Sequence, residues 1–348
     1  MNKSALPPIT TKPPFRAEHA GGLTRPDRLV AALRQADTGR LDAEELAEVR
    51  TLAMHDVVRM QQDIGFRAVT DGGFGQTSWQ RDILLRMDGV REKTAGNAGK
   101  PAILEMVEPL RRREPILADA HRLLATIAKV TPKVAIVSPS IVSRAVEAKT
   151  IEAGVYRDTD ELMEDVVTVW RQEIEDLAKA GCTYLQIDES LPTGISETRL
   201  VDIVRLLGTV IDGKPEGLTV CCRLSLEAPF DDGYERTAEI LFSEIAADRF
   251  LLDMARLGAA GFQPLRHLPK DRIAVLGLVD ASTPRLEKRD DIQRLIDAAA
   301  KHTPIEQLAL GTNTGFAPVA LDGGPTMDDQ KRKLDVIVSA ALDVWGTN

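Results

Sequence analysis

Short apolar segments of strand length recur along the chain and alternate with longer amphipathic segments. Most of the short segments have a β-branched or aliphatic core and end in a polar residue or in a Gly/Pro cluster. This pattern is typical of buried parallel strands that are followed by helices. The predicted strands are Phe15–Gly22, Ala68–Gly73, Lys133–Ser140, Tyr184–Ser190, Leu218–Leu224, Arg249–Asp253, Arg272–Asp280 and Gln307–Gly315.

The segments between the predicted strands have the spacing of amphipathic helices. Segment 158–180 carries apolar residues at helical intervals, and Gly181 can end it in a left-handed conformation. Segment 289–301 has one apolar stripe, and Pro304 stops it before the last strand. Eight βα repeats predict a (β/α)8 TIM barrel. A doubly wound sheet is the alternative, but no GxGxxG motif follows the first strand.

The chain is longer than a bare barrel requires. Its 348 residues exceed the roughly 250 of a typical (β/α)8 domain. The surplus lies in a proline-rich lead, 1–14, and in segment 84–120 after the second predicted strand. We therefore predict a single barrel domain over 1–348, with an N-terminal extension and an insertion after strand two.

The composition argues against some classes of binding partner. The net charge is −9 and the pI is near 5.3, which argues against nucleic-acid or anionic-membrane binding. We find neither an apolar window long enough to span a membrane nor the apolar core of a signal peptide. Three cysteines, two of them adjacent, make no disulfide framework. We expect a cytoplasmic protein with a small-molecule partner, and its oligomeric state stays open.

Motifs at the predicted strand ends follow one another in a recognisable order. They are PFRAEHAGGLTRPDRL (14–29), GFRAVTDGGFGQTSW (65–79), AGCTYLQIDES (180–190), GLTVCCRL (217–224), GYERTAEILFSE (233–244), GFQPLRHLP (261–269), VLGLVDAST (275–283) and LALGTNTGF (308–316). Together they resemble the catalytic domain of cobalamin-independent methionine synthase in its short, single-barrel form. The resemblance implies a barrel in which homocysteine binds as a zinc thiolate and accepts a methyl group from a folate.

The resemblance also implies a set of zinc ligands, and most of them are altered here. The family's His-x-Cys pair falls on Val220 and Cys222, its glutamate on Asp253 and its second cysteine on Thr314. Valine cannot ligate a metal, and threonine is a poor zinc ligand beside a thiolate. We therefore expect a degenerate zinc site and no cofactor.

The amino-acid pocket that the resemblance implies is altered as well. The family's Gly-Ser pair becomes Gly21-Gly22, an acid after strand two becomes Gly73, and an arginine becomes Gln76. Asp188 remains, in the motif QIDE. Homocysteine is thus not the expected substrate.

The remaining polar residues at strand ends supply the candidate site. The expected catalytic residues are Asp188 and His19 in acid–base roles and Cys222, which the match turns into the barrel. Asp188 could instead belong to a structural ion pair, His19 could be a structural histidine, and Cys222 could be a small core residue. The expected substrate-binding residues are Arg16 for an anion, Asp71, Trp79, Gln186, Glu189 and Asn313. The other histidines, expected to be structural or solvated, are His55, His121, His267 and His302.

Three functional hypotheses fit these residues. The first is a methionine-synthase-like enzyme that acts on a small anionic molecule and has diverged from zinc-dependent methyl transfer. The second is a methyl or alkyl transferase with a thiol acceptor, and the third is a non-catalytic ligand-binding barrel. A metal assay separates the first two, and turnover separates both from the third.

Overall fold

The computed structural model describes residues 15–75, 79–94, 103–145, 153–191, 195–226, 234–255, 257–316 and 324–348. The predicted lead 1–14 and Gln76 lie outside these residues. The strands are β1 Ala68–Val69, β2 Asp88–Thr94, β3 Ile103–Arg111, β4 Thr131–Pro132, β5 Val134–Val137, β6 Tyr184–Leu191, β7 Thr219–Leu226, β8 Arg249–Asp253, β9 Ile273–Val279 and β10 Leu308–Thr312.

Helices follow the strands around the outside of the barrel. They are α1 Asp27–Asp37, α2 Ala43–Ile64, α3 Trp79–Leu84, α4 Ala118–Ile127, α5 Ser140–Ala145, α6 Thr159–Lys179, α7 Glu197–Ile211, α8 Tyr234–Glu244, α9 Arg289–Ala299 and α10 Met327–Trp345, with 3-10 turns at Ala259–His267 and Ile305–Gln307. In the part of the chain that the structure describes, none of these helices is long and apolar enough to cross a membrane.

Strands β5 to β10 form one parallel sheet in sequence order, and the first two predicted strands contribute short pairings at its two edges. Ala17 bridges Leu310 in parallel, which joins the first segment to β10. Strand β1 pairs with β4 in parallel, which joins the second segment to the third. The first and second segments meet where Leu23 N donates to Gly72 O over 3.0 Å. The predicted (β/α)8 barrel is confirmed.

The first two strands are shorter than predicted because side chains replace part of the backbone ladder. Segment 15–22 makes only the bridge at Ala17, and the second strand shrinks to Ala68–Val69. The buried amide of Gln61 accepts from Thr70 N at 2.9 Å and donates to Thr70 O at 2.9 Å. The hydroxyl of Thr70 donates to Gly21 O at 2.8 Å. These bonds satisfy backbone N–H and C=O groups that would otherwise bond to a neighbouring strand.

Local sequence signals set the helix ends. Asp42 caps α2 in a capping box with Glu45. Asp158 caps α6 by accepting from Glu161 N, and Gly181 follows that helix with φ at 95°. The predicted end of this helix is therefore confirmed.

A buried ionic group lies inside the barrel. The carboxylate of Glu18 pairs with Arg249, lies 3.2 Å from Lys133 Nζ and accepts from the Tyr184 hydroxyl at 2.5 Å. Burial acts to raise the pKa of Glu18, but the charges of Arg249 and Lys133 outweigh it and the pKa is lowered. Apolar side chains share the interior, and they include Phe15, Leu251, Val275 and Ala309.

The insertion after the second strand forms an antiparallel hairpin of β2 and β3. Arg112, just after the hairpin, pairs with Glu173 of α6 at 2.7 Å. Glu173 also accepts from Ile116 N at 2.8 Å and from Leu117 N at 2.7 Å. These bonds fix the start of α4 against α6, and α4 forms one wall of the cavity described below.

Candidate functional site

A cavity of about 330 Å³ lies at the C-terminal ends of the barrel strands, where (β/α)8 enzymes carry their active sites. Loops after the first, second and eighth strands border it, and α4 closes one side. Its polar and charged lining residues are Arg25, Thr70, Asp71, His121, Lys133, Asp188, Ser190, Arg223 and Thr314.

Asp188 lines this cavity, as the sequence predicts for a site residue. It lies on β6, and its Oδ1 accepts from Gln186 Nε2 at 2.7 Å. Burial raises the pKa of Asp188, although Arg223, Gln186 and Lys133 act to lower it. The carboxyl therefore holds a proton more readily than an exposed aspartate does, which suits an acid–base role.

Arg223 faces the cavity from β7, directly beside Asp188 in the sheet register. Its Nη1 lies 4.0 Å from Asp188 Oδ2, and its Nη2 donates to Thr314 Oγ1 at 2.9 Å. The sequence places Arg223 among the polar residues near the strand ends, but it was assigned no role because the family match directed attention to the residue before it. The direction of the Arg223 side chain could have been predicted from the alternation of side chains along a strand, because every second residue points to the same face.

Cys222 does not face the cavity, and the expected orientation is wrong. Cys221 belongs to the cluster inside the barrel, whereas Cys222 packs in the cluster between the barrel and the helices. Val220 lies in the same outer cluster. Successive residues of a strand point to opposite faces, so a one-residue difference in register reverses the assignment. Burial also raises the pKa of the Cys222 thiol, which is no nucleophile in this setting.

The residues at the family's zinc positions do not fit a zinc ion. Two of them, Val220 and Cys222, point away from the cavity. The hydroxyl of Thr314 is bonded to the cationic Arg223, whose charge opposes a metal ion there. Within the described ranges, no group of three or more His, Cys, Asp or Glu side chains could hold a metal.

We expect the purified protein to contain little zinc. The doubly substituted Arg223→Cys/Thr314→Cys protein should bind more, because the side chains at these positions touch and Asp188 lies beside them. The matched control Val220→His/Thr314→Cys should bind no more than the parent, because position 220 points outward. Elemental analysis after dialysis measures all three. Stoichiometric zinc in the parent, or a gain in the control alone, contradicts the assignment.

His19 lies behind the cavity wall, where both ring nitrogens are bonded. Nε2 lies 2.8 Å from Gln61 Oε1, and Nδ1 accepts from Gly21 N at 3.1 Å. The ring meets Phe66 edge to face. Burial lowers the pKa of His19 to about 4, so the ring is neutral at pH 7. The structure thus gives His19 a structural position and does not bring it to Asp188 as a base.

Arg16 lies at the opposite end of the barrel from the cavity. Its Nη1 donates to Glu306 O at 2.9 Å and to Leu308 O at 2.6 Å, where β10 begins. Its guanidinium also lies 5.7 Å from the Trp345 ring centre. The expected anion-binding role of Arg16 is wrong, because the strand ends of the mouth are out of its reach.

Of the other predicted binding residues, Asp71 lines the cavity and Gln186 holds a residue that lines it. Asp71 lines the cavity, accepts from Gly73 N at 2.8 Å and has its pKa raised by burial. Gln186 supports Asp188 from beneath the cavity. Its Nε2 donates to Asp188 Oδ1 at 2.7 Å and to Ala20 O at 2.8 Å.

Two other predicted binding residues, Glu189 and Asn313, are not part of the cavity lining. Glu189 accepts from Ser138 at 2.5 Å and Ser140 at 2.6 Å on the outer side of β6. Asn313 accepts from Ala281 N at 2.9 Å and shapes a loop. Asp253 ends β8. Trp79 begins α3, and its side chain lies outside the described part of the structure.

Residues 27–321 match the family described as the catalytic domain of cobalamin-independent synthase, and the chain belongs to this family. It is similar to an uncharacterized Bacillus subtilis protein, YxjH, with 29% identity over 96% of each chain. It is 24% identical to the methionine synthase of Thermococcus kodakarensis over 85% of each chain. The predicted family is therefore confirmed.

Solved structures show the same fold. A putative vitamin-B12-independent methionine synthase from Listeria monocytogenes superposes with a TM-score of 0.81 at 24% identity, over 97% of this chain and 100% of the other. A B12-independent methionine synthase from Shewanella sp. W3-18-1, in complex with selenomethionine, gives a TM-score of 0.74 at 16% identity, over 95% and 97%. At these identities the likeness supports the fold.

Proposed function

We propose that this protein is an enzyme of the methionine synthase family that acts on a small anionic molecule and has diverged from zinc-dependent methyl transfer to homocysteine. In this proposal Arg223 binds the anion and Asp188 accepts or donates a proton. The observation that carries the proposal is the Arg223–Asp188 pair, which faces one cavity from adjacent strands.

The geometry of Arg223 leaves it able to bind an anion. Its contact with Asp188, at 4.0 Å, is longer than a hydrogen bond. Its Nε is buried and has no hydrogen-bond partner among the described residues. A carboxylate or similar group could therefore take up charge-assisted bonds from the guanidinium.

The charges around the cavity also favour an anion. Arg25, Lys133 and Arg223 line it together with two acids, Asp71 and Asp188. Burial raises the pKa of both acids. The Glu18 carboxylate inside the barrel neutralises part of the Lys133 charge. Arg223 is therefore the main candidate for direct contact with an anion.

The changed zinc positions support divergence from methyl transfer to a thiol. A thiol is weakly nucleophilic until a metal or another cation stabilises its thiolate. In this chain the donor set does not fit zinc, and Gly22 and Gly73 replace the polar groups that the resemblance implies for homocysteine. A ligand that is already an anion needs no such activation.

The proposal predicts that Arg223→Met weakens the binding of a simple carboxylate at least about tenfold, because a charge-assisted bond contributes about 1.5–3 kcal/mol. Pentanoate is a suitable probe, with affinity measured by ligand-observed NMR. Arg16→Met is the matched control, because Arg16 lies at the other end of the barrel. Melting midpoints verify that both variants fold. Full binding in the folded Arg223 variant contradicts the proposal, and so does an equal loss in the Arg16 variant.

A further inference from the structure

Asp188 and Arg223 line the same cavity as neighbours but do not form a close ion pair. They are register partners on β6 and β7, and both line the cavity. Arg223 Nη1 lies 4.0 Å from Asp188 Oδ2, which is longer than a hydrogen bond between charged groups. The two side chains therefore offer a donor and an acceptor to a ligand at nearly the same place in the cavity.

Other bonds hold these two side chains in position. Gln186 Nε2 donates to Asp188 Oδ1 at 2.7 Å and also to Ala20 O at 2.8 Å. Arg223 Nη2 donates to Thr314 Oγ1 at 2.9 Å. These bonds involve Oδ1 and Nη2, whereas Oδ2 and Nη1 are the atoms that form the longer contact. Because both side chains are oriented in advance, less entropy is lost when a ligand binds.

The distance between Nη1 and Oδ2 limits the spacing of polar groups on a ligand that bonds to both. The guanidinium of Arg223 can only donate, so it takes an acceptor such as a carboxylate oxygen. The carboxylate of Asp188 takes an O–H or N–H group. When the two bonds run side by side, the ligand groups lie about as far apart as the protein atoms, which are 4.0 Å apart. A donor on the first or second carbon after the carboxylate meets this condition, and a donor at the far end of the chain does not.

The charges around Asp188 favour a hydroxyl group over an ammonium group as this donor. Burial raises the pKa of Asp188, although Arg223, Gln186 and Lys133 act to lower it. A hydroxyl group can donate to the ionised carboxyl and accept from the protonated one, so it fits both states. An ammonium group can only donate, and the positive charges of Arg223 and Lys133 repel it.

We propose that the ligand of this cavity is a small 2- or 3-hydroxy carboxylate, with its carboxylate bound to Arg223 and its hydroxyl group bound to Asp188. This inference rests on the proposed function and narrows its substrate class. The cavity volume of about 330 Å³ suits a small molecule of this kind.

Matched probes test the proposal without knowledge of the natural substrate. They are pentanoate, its 2-, 3- and 5-hydroxy derivatives and 2-aminopentanoate, with enantiomers measured separately. Ligand-observed NMR gives their dissociation constants for the parent protein, for Asp188→Leu and for Arg223→Met. Leucine has nearly the shape of aspartate but neither donates nor accepts a hydrogen bond. Melting midpoints verify that both variants fold.

We expect the 2- or the 3-hydroxy probe to bind the parent about tenfold more tightly than pentanoate, the effect of one hydrogen bond to a charged group. The 5-hydroxy probe should bind no more tightly than pentanoate, and the amino probe should bind more weakly than the 2-hydroxy probe. In Asp188→Leu the hydroxyl preference should fall close to unity. In Arg223→Met the carboxylates should all bind more weakly by a similar factor, so the preference should persist.

Three results overturn the inference while leaving the proposed function intact, provided that pentanoate binding still depends on Arg223. They are a parent protein without preference for the 2- or 3-hydroxy probe, tightest binding of the amino probe, and a hydroxyl preference that persists in folded Asp188→Leu. Failure of every probe to bind the parent overturns the proposed function, and the inference with it.

Discussion

Glu18→Gln will lower the free energy of unfolding by about 3–5 kcal/mol, the usual cost of removing one partner from a buried ion pair. The side chains of Glu18, Arg249 and Lys133 are almost fully buried, so the substitution leaves two buried cations without their counterion. Urea unfolding followed by circular dichroism measures the change.

An exposed pair provides the control for this prediction. Asp343 pairs with Arg289 at the surface, where each side chain is about half exposed. Asp343→Asn should cost no more than about 1 kcal/mol, because solvent screens the pair. Equal losses in the two variants would show that the interior group does not stabilise the barrel as described.

The pH dependence of the Glu18 contribution has a definite sign. The pKa of Glu18 is lower in the folded protein than its ordinary value of 4.5. Its stabilisation is therefore complete above the pKa of the unfolded chain and is lost as the pH falls through the folded pKa. The difference between the parent and Glu18→Gln should thus stay constant from neutral pH down to about pH 5 and shrink only in stronger acid.

Asp188→Asn will lower turnover or ligand affinity at least about tenfold, or roughly 1.4 kcal/mol. The amide keeps the size of the side chain but cannot exchange a proton. The pKa of Asp188 is raised in the folded state, so its ionised form costs stability as the pH rises. The asparagine variant should therefore be at least as stable as the parent at pH 7.

The neighbouring residue gives a contrasting control for Asp188. Glu189 lies on the outer side of the same strand, where Ser138 and Ser140 donate to it. Glu189→Gln should lower the melting midpoint and leave affinity per folded molecule unchanged. A large stability loss in Asp188→Asn with unchanged affinity would place Asp188 among the structural ion pairs and remove it from the site.

The architecture could be predicted from sequence because it depends on patterns that extend over many residues. Eight apolar segments with polar ends define the repeat, and Gly181 marks a helix end that the structure confirms. The lengths of the first two strands could not be predicted, because the amide of Gln61 supplies bonds that a strand would normally supply.

The site was harder to predict because side-chain direction depends on register to within one residue. Asp188 lines the cavity as expected, because its motif fixes both its place and its face, and its role stays a prediction. Cys222 was assigned to the wrong face, and Arg223, although recognised as a polar residue near a strand end, was given no role for the same reason. His121 carries no local motif that would indicate its place in the cavity lining.

The most direct test of the central claim is a crystal structure of the protein with bound pentanoate. We predict that the carboxylate lies within hydrogen-bond distance of the Arg223 guanidinium, beside Asp188 and at the C-terminal ends of the strands. A carboxylate bound elsewhere, with the Arg223 guanidinium still bonded to Thr314, would contradict the account.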